Sequence, residues 1–411
     1  MNTLFVPSKT IEALRGSPLC PHIEHYVTLL KDQGYRPNTL VRHVDLLTHF
    51  HRWLVRNRLD LKNVNEELIE MFLKDQRAGQ CSHDGAPLAL RRLLGVLRSA
   101  GVTPPARPAP RTSAQCLVVE YQSYLREERG YGEKTVENYA RNVERFLTER
   151  FGSNCVNLRK LKIGEVIGFV QRTARDHNKI FTKQLVTALR SFLRYLQYRG
   201  EIETDWASSI PAVAHWRLAG LPKRLPAEEV ERILAGCDRS TALGRRDYAI
   251  MLLLARLGLR GGEVVRMQLE DINWASALLT VRSKKGRGWA RMPLPTDVGR
   301  AIARYLRHDR PACSCRNVFV RIVAPYTRFN SSAVVGGRVR SAMKRAGVTS
   351  ARKGAHVFRH SLASEMLRKG ASLDEIGQVL RHKDPDTTAI YAKVDLTALR
   401  QLAVSLPGGA E

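Results

Sequence analysis

No apolar run in this sequence is long enough to span a membrane, and its start, MNTLFVPSKT, lacks the pattern of a secretory signal peptide. Cysteine is scarce. The seven cysteines are scattered and odd in number, which favours reduced thiols over a disulfide framework. Cys313 and Cys315 have ligand-like spacing, but no second pair lies at zinc-finger spacing. We therefore expect a soluble cytoplasmic protein without a zinc finger.

Acidic residues are few relative to basic ones. The chain has 39 Asp and Glu against 67 Lys and Arg, which gives a net charge of +28 and a pI near 10.3. This excess predicts a polyanionic partner, either nucleic acid or an acidic membrane surface. The basic residues are spread along the chain, which favours folded basic surfaces over a disordered arm. Since no membrane segment is found, we expect a nucleoid-associated protein.

The length of 411 residues is too great for one ordinary core and predicts two or three domains. Residues 20–102 show helical periodicity, and residues 114–205 repeat the same order. At an offset of 96 positions, Gly34-Tyr35 falls on Gly130-Tyr131. We interpret this as an internal duplication of one helical unit, with two unrelated bundles as the alternative.

The remaining segments follow from composition. Residues 1–19 precede the first unit, and a proline-rich linker, residues 103–113, joins the two units. A second linker, residues 206–225, leads into a last domain, residues 226–411. That domain is expected to contain helices and a strand pair, LLTVRS and ARMPLP, around the polar turn KKGRGW.

Histidine, arginine and tyrosine are concentrated near the end of the chain. His356 and Arg359 are three positions apart, so on a helix they project from one face. A second predicted helix delivers Arg381 and His382, and Tyr391 follows shortly after. Arginine binds a phosphodiester bidentately, histidine donates or relays protons, and tyrosine can attack phosphorus. A free tyrosine, with a pKa near ~10, needs such surroundings to be a useful nucleophile.

This stretch resembles the tyrosine recombinase (phage integrase) family, and the resemblance extends over about residues 114–400. The HxxRH motif of the family matches at His356, Arg359 and His360. Its LGH…TT..Y motif matches at Leu380-Arg381-His382, Thr387-Thr388 and Tyr391, with Arg381 in the place of the usual glycine.

The resemblance implies a multidomain, mainly α fold. Together with the internal duplication, it predicts two SAM-like helical N-terminal units followed by an α+β catalytic domain with a small β-hairpin. The second unit is similar to the core-binding domain of the family, which forms one half of a clamp around DNA. The first unit is then an additional copy, beyond the two-domain layout.

Upstream motifs extend the match. In LGLRGGEVVRM, Arg260 matches the first phosphate-binding arginine, and Glu263 matches the acidic position that supports it. Lys285 matches the catalytic lysine of the hairpin because it directly precedes a glycine, and Lys284 is the alternative. A surface ion pair and a solvated hairpin tip are the structural interpretations of the same residues.

The resemblance implies a role for each catalytic residue. Tyr391 would attack the scissile phosphate and form a 3′-phosphotyrosyl link. Arg260, Arg359 and His382 would hold the phosphoryl oxygens, Lys285 would protonate the leaving 5′ oxygen, and His356 would assist proton transfer.

Other predictions concern supporting residues and metals. Glu263 and His360 are predicted to support the site, with packing as the alternative for His360. No metal is predicted, because the acids near the motifs do not cluster as two-metal phosphoryl transfer requires. The predicted DNA-binding side chains are Lys284, Arg287, Arg381, Arg42 and Arg141, and a solvated helix end is the alternative for Arg381.

The sequence therefore predicts a site-specific recombinase that uses neither metal nor nucleotide cofactor. Its partner would be double-stranded DNA with inverted-repeat sites, bound by a homo- or hetero-tetramer. The segment 395–406 would pack on a neighbouring protomer or on its own domain, and the extra unit suggests a mobile element. The alternatives are a type IB topoisomerase, a non-catalytic DNA-binding protein and a nucleoid or membrane-surface protein.

Overall fold

The computed structural model describes residues 17–78, 85–105, 111–152, 154–214, 224–282, 288–350, 353–382 and 384–394. The chain divides into two compact units: Ala106–Gly220 forms one, and Met1–Pro105 with Leu221–Glu411 forms the other. In the described ranges no helix is long and apolar enough to cross a membrane. The predicted linker core at 106–110, the hairpin tip at 283–287 and the segment 395–406 lie outside the described residues.

The described residues of the first helical unit form four α-helices around an apolar core. A short 3₁₀ helix, Leu61–Asn63, separates the second helix from the third. Its centre contains the fully buried rings of Tyr26, Phe50 and Phe72. The helices are α1 (Cys20–Asp32), α2 (Pro37–Arg56), α3 (Glu66–Ala78) and α4 (Ala86–Ser99).

The second helical unit repeats this order with its own core. Thr112 caps the first of its helices in a reciprocal capping box with Gln115, which satisfies backbone donors at the helix start. The helices are α5 (Ser113–Glu127), α6 (Glu133–Phe151), α7 (Ile163–Asp176) and α8 (Lys179–Tyr198), with a 3₁₀ helix at Leu158–Lys160 and a short α9 at Trp206–Ser209.

The first and second helical units have matching positions in their cores and turns. The aromatic positions of the first core recur in the second as Tyr121, Phe146 and Phe169, all buried. Gly34 and Gly130 both adopt positive φ, at 80° and 59°, between the first and second helices of their units. Glycine is favoured there because other residues are strained in this conformation. The prediction of two similar helical N-terminal units is confirmed.

The last domain, residues 226–411, which is predicted to be the catalytic part, is built on the helix Ala242–Leu257, and this helix is buried on nearly all sides. The segment 250–254, IMLLL, lies entirely in the core, which explains its continuous apolar run. The helices of this part are α10 (Ala227–Ala235), α11 (Ala242–Leu257), α12 (Gly261–Arg266), α13 (Thr296–His308), α14 (Ser332–Arg345), α15 (His356–Arg368) and α16 (Leu373–Leu380). Three 3₁₀ helices cover Leu269–Asp271, Pro385–Thr387 and Ala389–Val394.

One antiparallel sheet completes this part. Its strands, in the order β1-β2-β3, are β1 (Ile272–Asn273), β2 (Leu278–Arg282) and β3 (Trp289–Pro293). Leu279 pairs with Met292, and both side chains face the core. Arg282 pairs with Trp289 at the end that leads to the hairpin tip. The predicted mainly α fold with a small β-hairpin is confirmed.

The first helical unit contacts the catalytic part through the turn at Gly34. The backbone N–H of Tyr326 donates to the carbonyl of Gln33 at 3.4 Å, and a Cβ at position 34 would overlap the Tyr326 ring. Around Gly130, the matching glycine, no atom of the described residues apart from its chain neighbours lies within 4 Å of a Cβ built at that position. Among the described residues, the turn is therefore covered in the first helical unit only.

Candidate active site

Arg260 begins the site where α11 turns into α12. Its backbone N–H donates to Glu263 Oε2 at 2.8 Å, and its guanidinium donates to Oε1 at 2.9 Å. Burial acts to raise the pKa of Glu263, but the backbone hydrogen bond from Arg260 and the charges of Arg381 and Arg260 outweigh it and hold that pKa below its ordinary value. The Arg260 side chain is 39% exposed, so solvent reaches part of it. An ionised Glu263 thus holds a half-exposed arginine in place.

Arg359 is the buried arginine of the site. Its guanidinium donates to the carbonyl of Gly258 at 2.7 Å and to the carbonyl of Leu380. It therefore joins the end of α11 to the end of α16. Burial, followed by the neighbouring charges of Arg260 and Arg381, lowers the pKa of Arg359 to about 9. The side chain remains charged at neutral pH.

Arg381 occupies the position where the family motif has glycine. Its φ of 56° places it in the left-handed region, as the residue that ends α16. The guanidinium donates to Glu263 Oε2 at 3.1 Å, and the side chain is 13% exposed. The substitution of glycine thus adds a second arginine to the Glu263 carboxylate.

His382 follows directly and is kept neutral. Burial, then the charges of Arg359 and Arg260, lowers its pKa to about 4. Its Nδ1 lies 2.7 Å from the hydroxyl of Thr388. If that hydroxyl donates to Nδ1, the ring hydrogen sits on Nε2 and is available for a ligand.

Tyr391 lies on the 3₁₀ helix Ala389–Val394 and is 1% exposed. Its ring packs with Ala363, Ile376 and Leu380. The hydroxyl lies 2.9 Å from Nδ1 of His360. Burial raises the pKa of Tyr391 to about 12, although the positive charge of Arg359 opposes this effect. The hydroxyl is therefore protonated at neutral pH and has a histidine nitrogen within hydrogen-bonding distance.

A cleft of about 700 Å³ opens beside these groups. It is lined by Arg260, Glu263, His356, Arg381, His382 and Trp289, among others. His356 is the first residue of α15 and is exposed there. The described lining does not include Arg359 or Tyr391. The structure thus gathers Arg260, His356 and His382 at one cleft, whereas Arg359 and Tyr391 are buried outside its described lining.

The other predicted residues lie elsewhere. Arg42 is exposed on α2, and Arg141 is exposed on α6. Lys284, Lys285 and Arg287 lie outside the described residues. Among the residues that the structure describes, no group of three or more His, Cys, Asp or Glu is placed to hold a metal ion.

Two residues of the site were not predicted from the sequence. Thr388 holds His382, and the TT of the motif was a signal that pointed to it. Trp289 lines the cleft, and nothing in its local sequence distinguished it from any other aromatic residue of a strand.

The model of the phage integrase family matches residues 223–397. The model described as the phage integrase N-terminal SAM-like domain matches residues 118–200. The match to the SAM-like domain therefore falls on the second helical unit.

Individual relatives agree with these matches. A putative integrase/recombinase of Sinorhizobium fredii, y4rA, is 42% identical over 96% of this chain and 96% of its own length. Tyrosine recombinase XerD of Listeria monocytogenes is 28% identical over 70% of this chain and 96% of its own length. The solved structure of XerH bound to its difH substrate after cleavage matches with a TM-score of 0.55 at 19% identity, over 69% of this chain and 83% of that one, and supports the fold alone.

Proposed function

Since this chain belongs to the phage integrase family of tyrosine recombinases, it breaks and rejoins DNA strands, and we propose that it does so through a covalent bond between Tyr391 and DNA. The observation that carries this proposal is the cleft in which Arg260, His356 and His382 converge in front of a buried tyrosine. The charges of Arg260 and Arg381 and the neutral ring of His382 suit the phosphate of a DNA backbone.

In this proposal, Arg260, Arg359 and His382 bind the phosphate. Arg260 offers half-exposed donors that Glu263 fixes in direction. Arg359 adds a positive charge from a buried position outside the cleft lining, and His382 adds a neutral N–H donor. Together they stabilise the extra negative charge of a pentacoordinate phosphorus, where the loss of one such donor costs roughly a hundred- to a thousand-fold in rate.

The attack by Tyr391 requires removal of its proton and uncovering of its hydroxyl. His360 Nδ1 is placed to accept the proton as the Tyr391 oxygen bonds to phosphorus. The bond from phosphorus to the 5′ oxygen then breaks, and the DNA is left with a 3′-phosphotyrosyl link and a free 5′ hydroxyl. Since Tyr391 is buried, the segment Ala389–Val394 must shift before this step.

The leaving 5′ oxygen needs a proton. We assign the donation of this proton to Lys285, with assistance from His356, as the family resemblance implies. Energy is retained in the phosphotyrosyl bond, so rejoining needs no nucleotide or metal cofactor. We further propose a tetramer on inverted-repeat sites of a mobile element, consistent with a transposon integrase among proteins of similar fold.

The first helical unit has two candidate roles. Exposed Arg42 on α2 favours DNA contact beyond the core site, and Arg141 on α6 would have the same role in the second unit. The contact between Gly34 and Tyr326 favours a protein-binding role instead. Deletion of residues 1–112 should leave cleavage intact; a shortened footprint would support DNA contact, and an unchanged footprint with lost synapsis would exclude it.

Covalent capture tests the proposed function. The protein is incubated with a pool of nicked duplexes of random sequence, and adducts that survive denaturation are isolated and sequenced. We expect a recurring inverted repeat and a phosphotyrosyl peptide that contains Tyr391. Adducts without a shared sequence, accompanied by relaxation of supercoiled plasmid by single protomers, would indicate a type IB topoisomerase. Absence of any adduct would refute the proposal.

A further inference from the structure

Trp289 is the large aromatic side chain of the cleft wall. It begins β3 and is 64% exposed, although indole rings are usually buried when they serve a core. It lines the same cleft as Arg260 and His382. An exposed indole ring therefore lies beside the cleft that is proposed to bind phosphate.

The strand register fixes what surrounds the ring. Trp289 pairs with Arg282, and Arg291 pairs with Thr280. Side chains two positions apart on a strand share a face, so Trp289 and Arg291 lie on the same side of the sheet. The guanidinium carbon of Arg291 lies 5.0 Å from the centroid of the indole ring. The guanidinium of Arg291 thus covers one face of the Trp289 indole ring. The exposed surface of Trp289 belongs to the remainder of the ring.

Packing of the hairpin core does not account for the tryptophan at position 289. The core side of the hairpin is filled by Leu279 and Met292. Trp274, in the turn between β1 and β2, is 48% exposed on the same sheet but does not line the cleft. Trp274 can therefore serve as the control, since it is an exposed tryptophan next to the same sheet that lies outside the described lining of the cleft.

We propose that Trp289 stacks on a nucleobase that flanks the phosphate bound by Arg260, with Arg291 supporting the opposite face of the indole. This inference rests on the proposed function, because it takes the ligand of the cleft to be DNA. Every base has an aromatic face, so the contact adds affinity without selecting a base. It requires the base step at the cleavage point to be partly opened, as happens when side chains insert between base pairs.

The first experiment measures binding without cleavage. In a Tyr391→Phe background, the affinity for a mixed-sequence duplex of about 30 base pairs is measured by fluorescence anisotropy. Trp289→Ala should weaken binding on the order of tenfold, the size expected for one lost stacking contact. Trp289→Phe should bind within about threefold of the parent, and Trp274→Ala should bind as the parent does.

The second experiment locates the contact. 2-Aminopurine is placed beside the cleavage point of the duplex recovered by covalent capture. Its fluorescence should change on binding of the Tyr391→Phe protein and of its Trp289→Phe derivative, but not of Trp289→Ala. Melting temperatures of all variants show whether the fold is intact.

Several outcomes would overturn the inference. These are unchanged binding of Trp289→Ala, equal losses for Trp289→Ala and Trp274→Ala, or full rescue by Trp289→Leu, which would indicate an apolar wedge without stacking. The binding arm needs no covalent step. If no adduct forms with any duplex but Trp289→Ala still loses affinity, the proposed function fails and the DNA contact of Trp289 stands.

Discussion

Arg260 and Tyr391 serve the same proposed reaction from opposite environments. Arg260 lines an open cleft, where its backbone N–H and its guanidinium each donate one hydrogen bond to Glu263. Tyr391 is enclosed by apolar side chains, and burial raises its pKa to about 12. The phosphate side is therefore ready to bind in the described state, whereas the nucleophile side needs a movement and a base. Binding and cleavage are thus separable by mutation.

The two histidines beside these groups show the same difference. His382 lines the cleft and is kept neutral, with its Nδ1 held by Thr388. His360 contacts the Tyr391 hydroxyl on the closed side. Although His356 and His360 belong to one motif, the structure places them on different sides of the site, His356 in the cleft and His360 at the tyrosine.

The largest effect is expected from Tyr391→Phe. Removal of the hydroxyl should abolish the covalent adduct while affinity for DNA stays within about twofold, because the binding charges lie in the cleft. Adducts on the captured nicked duplex are resolved on a denaturing gel, with Tyr198→Phe, a change at an exposed tyrosine, as control. An adduct of Tyr391→Phe at the parent yield would refute the assignment.

Replacement of Arg260 and of Arg359 by lysine compares the open side of the site with its buried side directly. Arg260→Lys and Arg359→Lys should each slow cleavage roughly a hundred- to a thousand-fold, because lysine cannot donate bidentately. Only Arg359→Lys should also lower the melting temperature, since Arg359 is buried and holds the carbonyls of Gly258 and Leu380. Equal destabilisation by both changes would contradict the distinction between the two sides.

His360→Asn tests the base on the closed side. We expect cleavage to slow on the order of a hundredfold at pH 7, the usual contribution of a general base. Without the base, Tyr391 must ionise unaided; because its pKa is raised to about 12, the ionised fraction and the rate should rise about tenfold per pH unit between pH 7 and 9. The parent should show a flatter profile. Parallel profiles for parent and variant would exclude proton transfer to His360.

Arg381→Gly should have the smallest effect and restores the residue usual in the motif. Glycine adopts a φ of 56° without strain, so the fold should tolerate the change despite the lost ion pair. Cleavage should fall about tenfold, because Glu263 loses one of the charges that hold it ionised. Binding and melting temperature are measured alongside. A rate equal to that of the parent would limit Arg381 to a structural role.

Much of the architecture could be predicted from local sequence. The Gly-Tyr pairs and the repeated apolar spacing marked two similar units, because a helical core imposes a 3.6-residue period that is visible in sequence. The order of arginine, HxxRH, histidine and tyrosine pointed to one family. The predicted roles of Lys284, Lys285 and Arg287 stay predictions, since these residues lie outside the described ranges.

The sequence by itself determined which elements form and which side chains the chemistry can use. Tertiary structure alone decided how these side chains are paired: His360 meets Tyr391 across 31 positions, and Arg381 meets Glu263 across 118. It also decided that Trp289 enters the cleft and that Tyr391 is buried. Periodicity and capping act within a few residues, whereas burial and pairing depend on which distant segments pack together, and no local pattern records that choice.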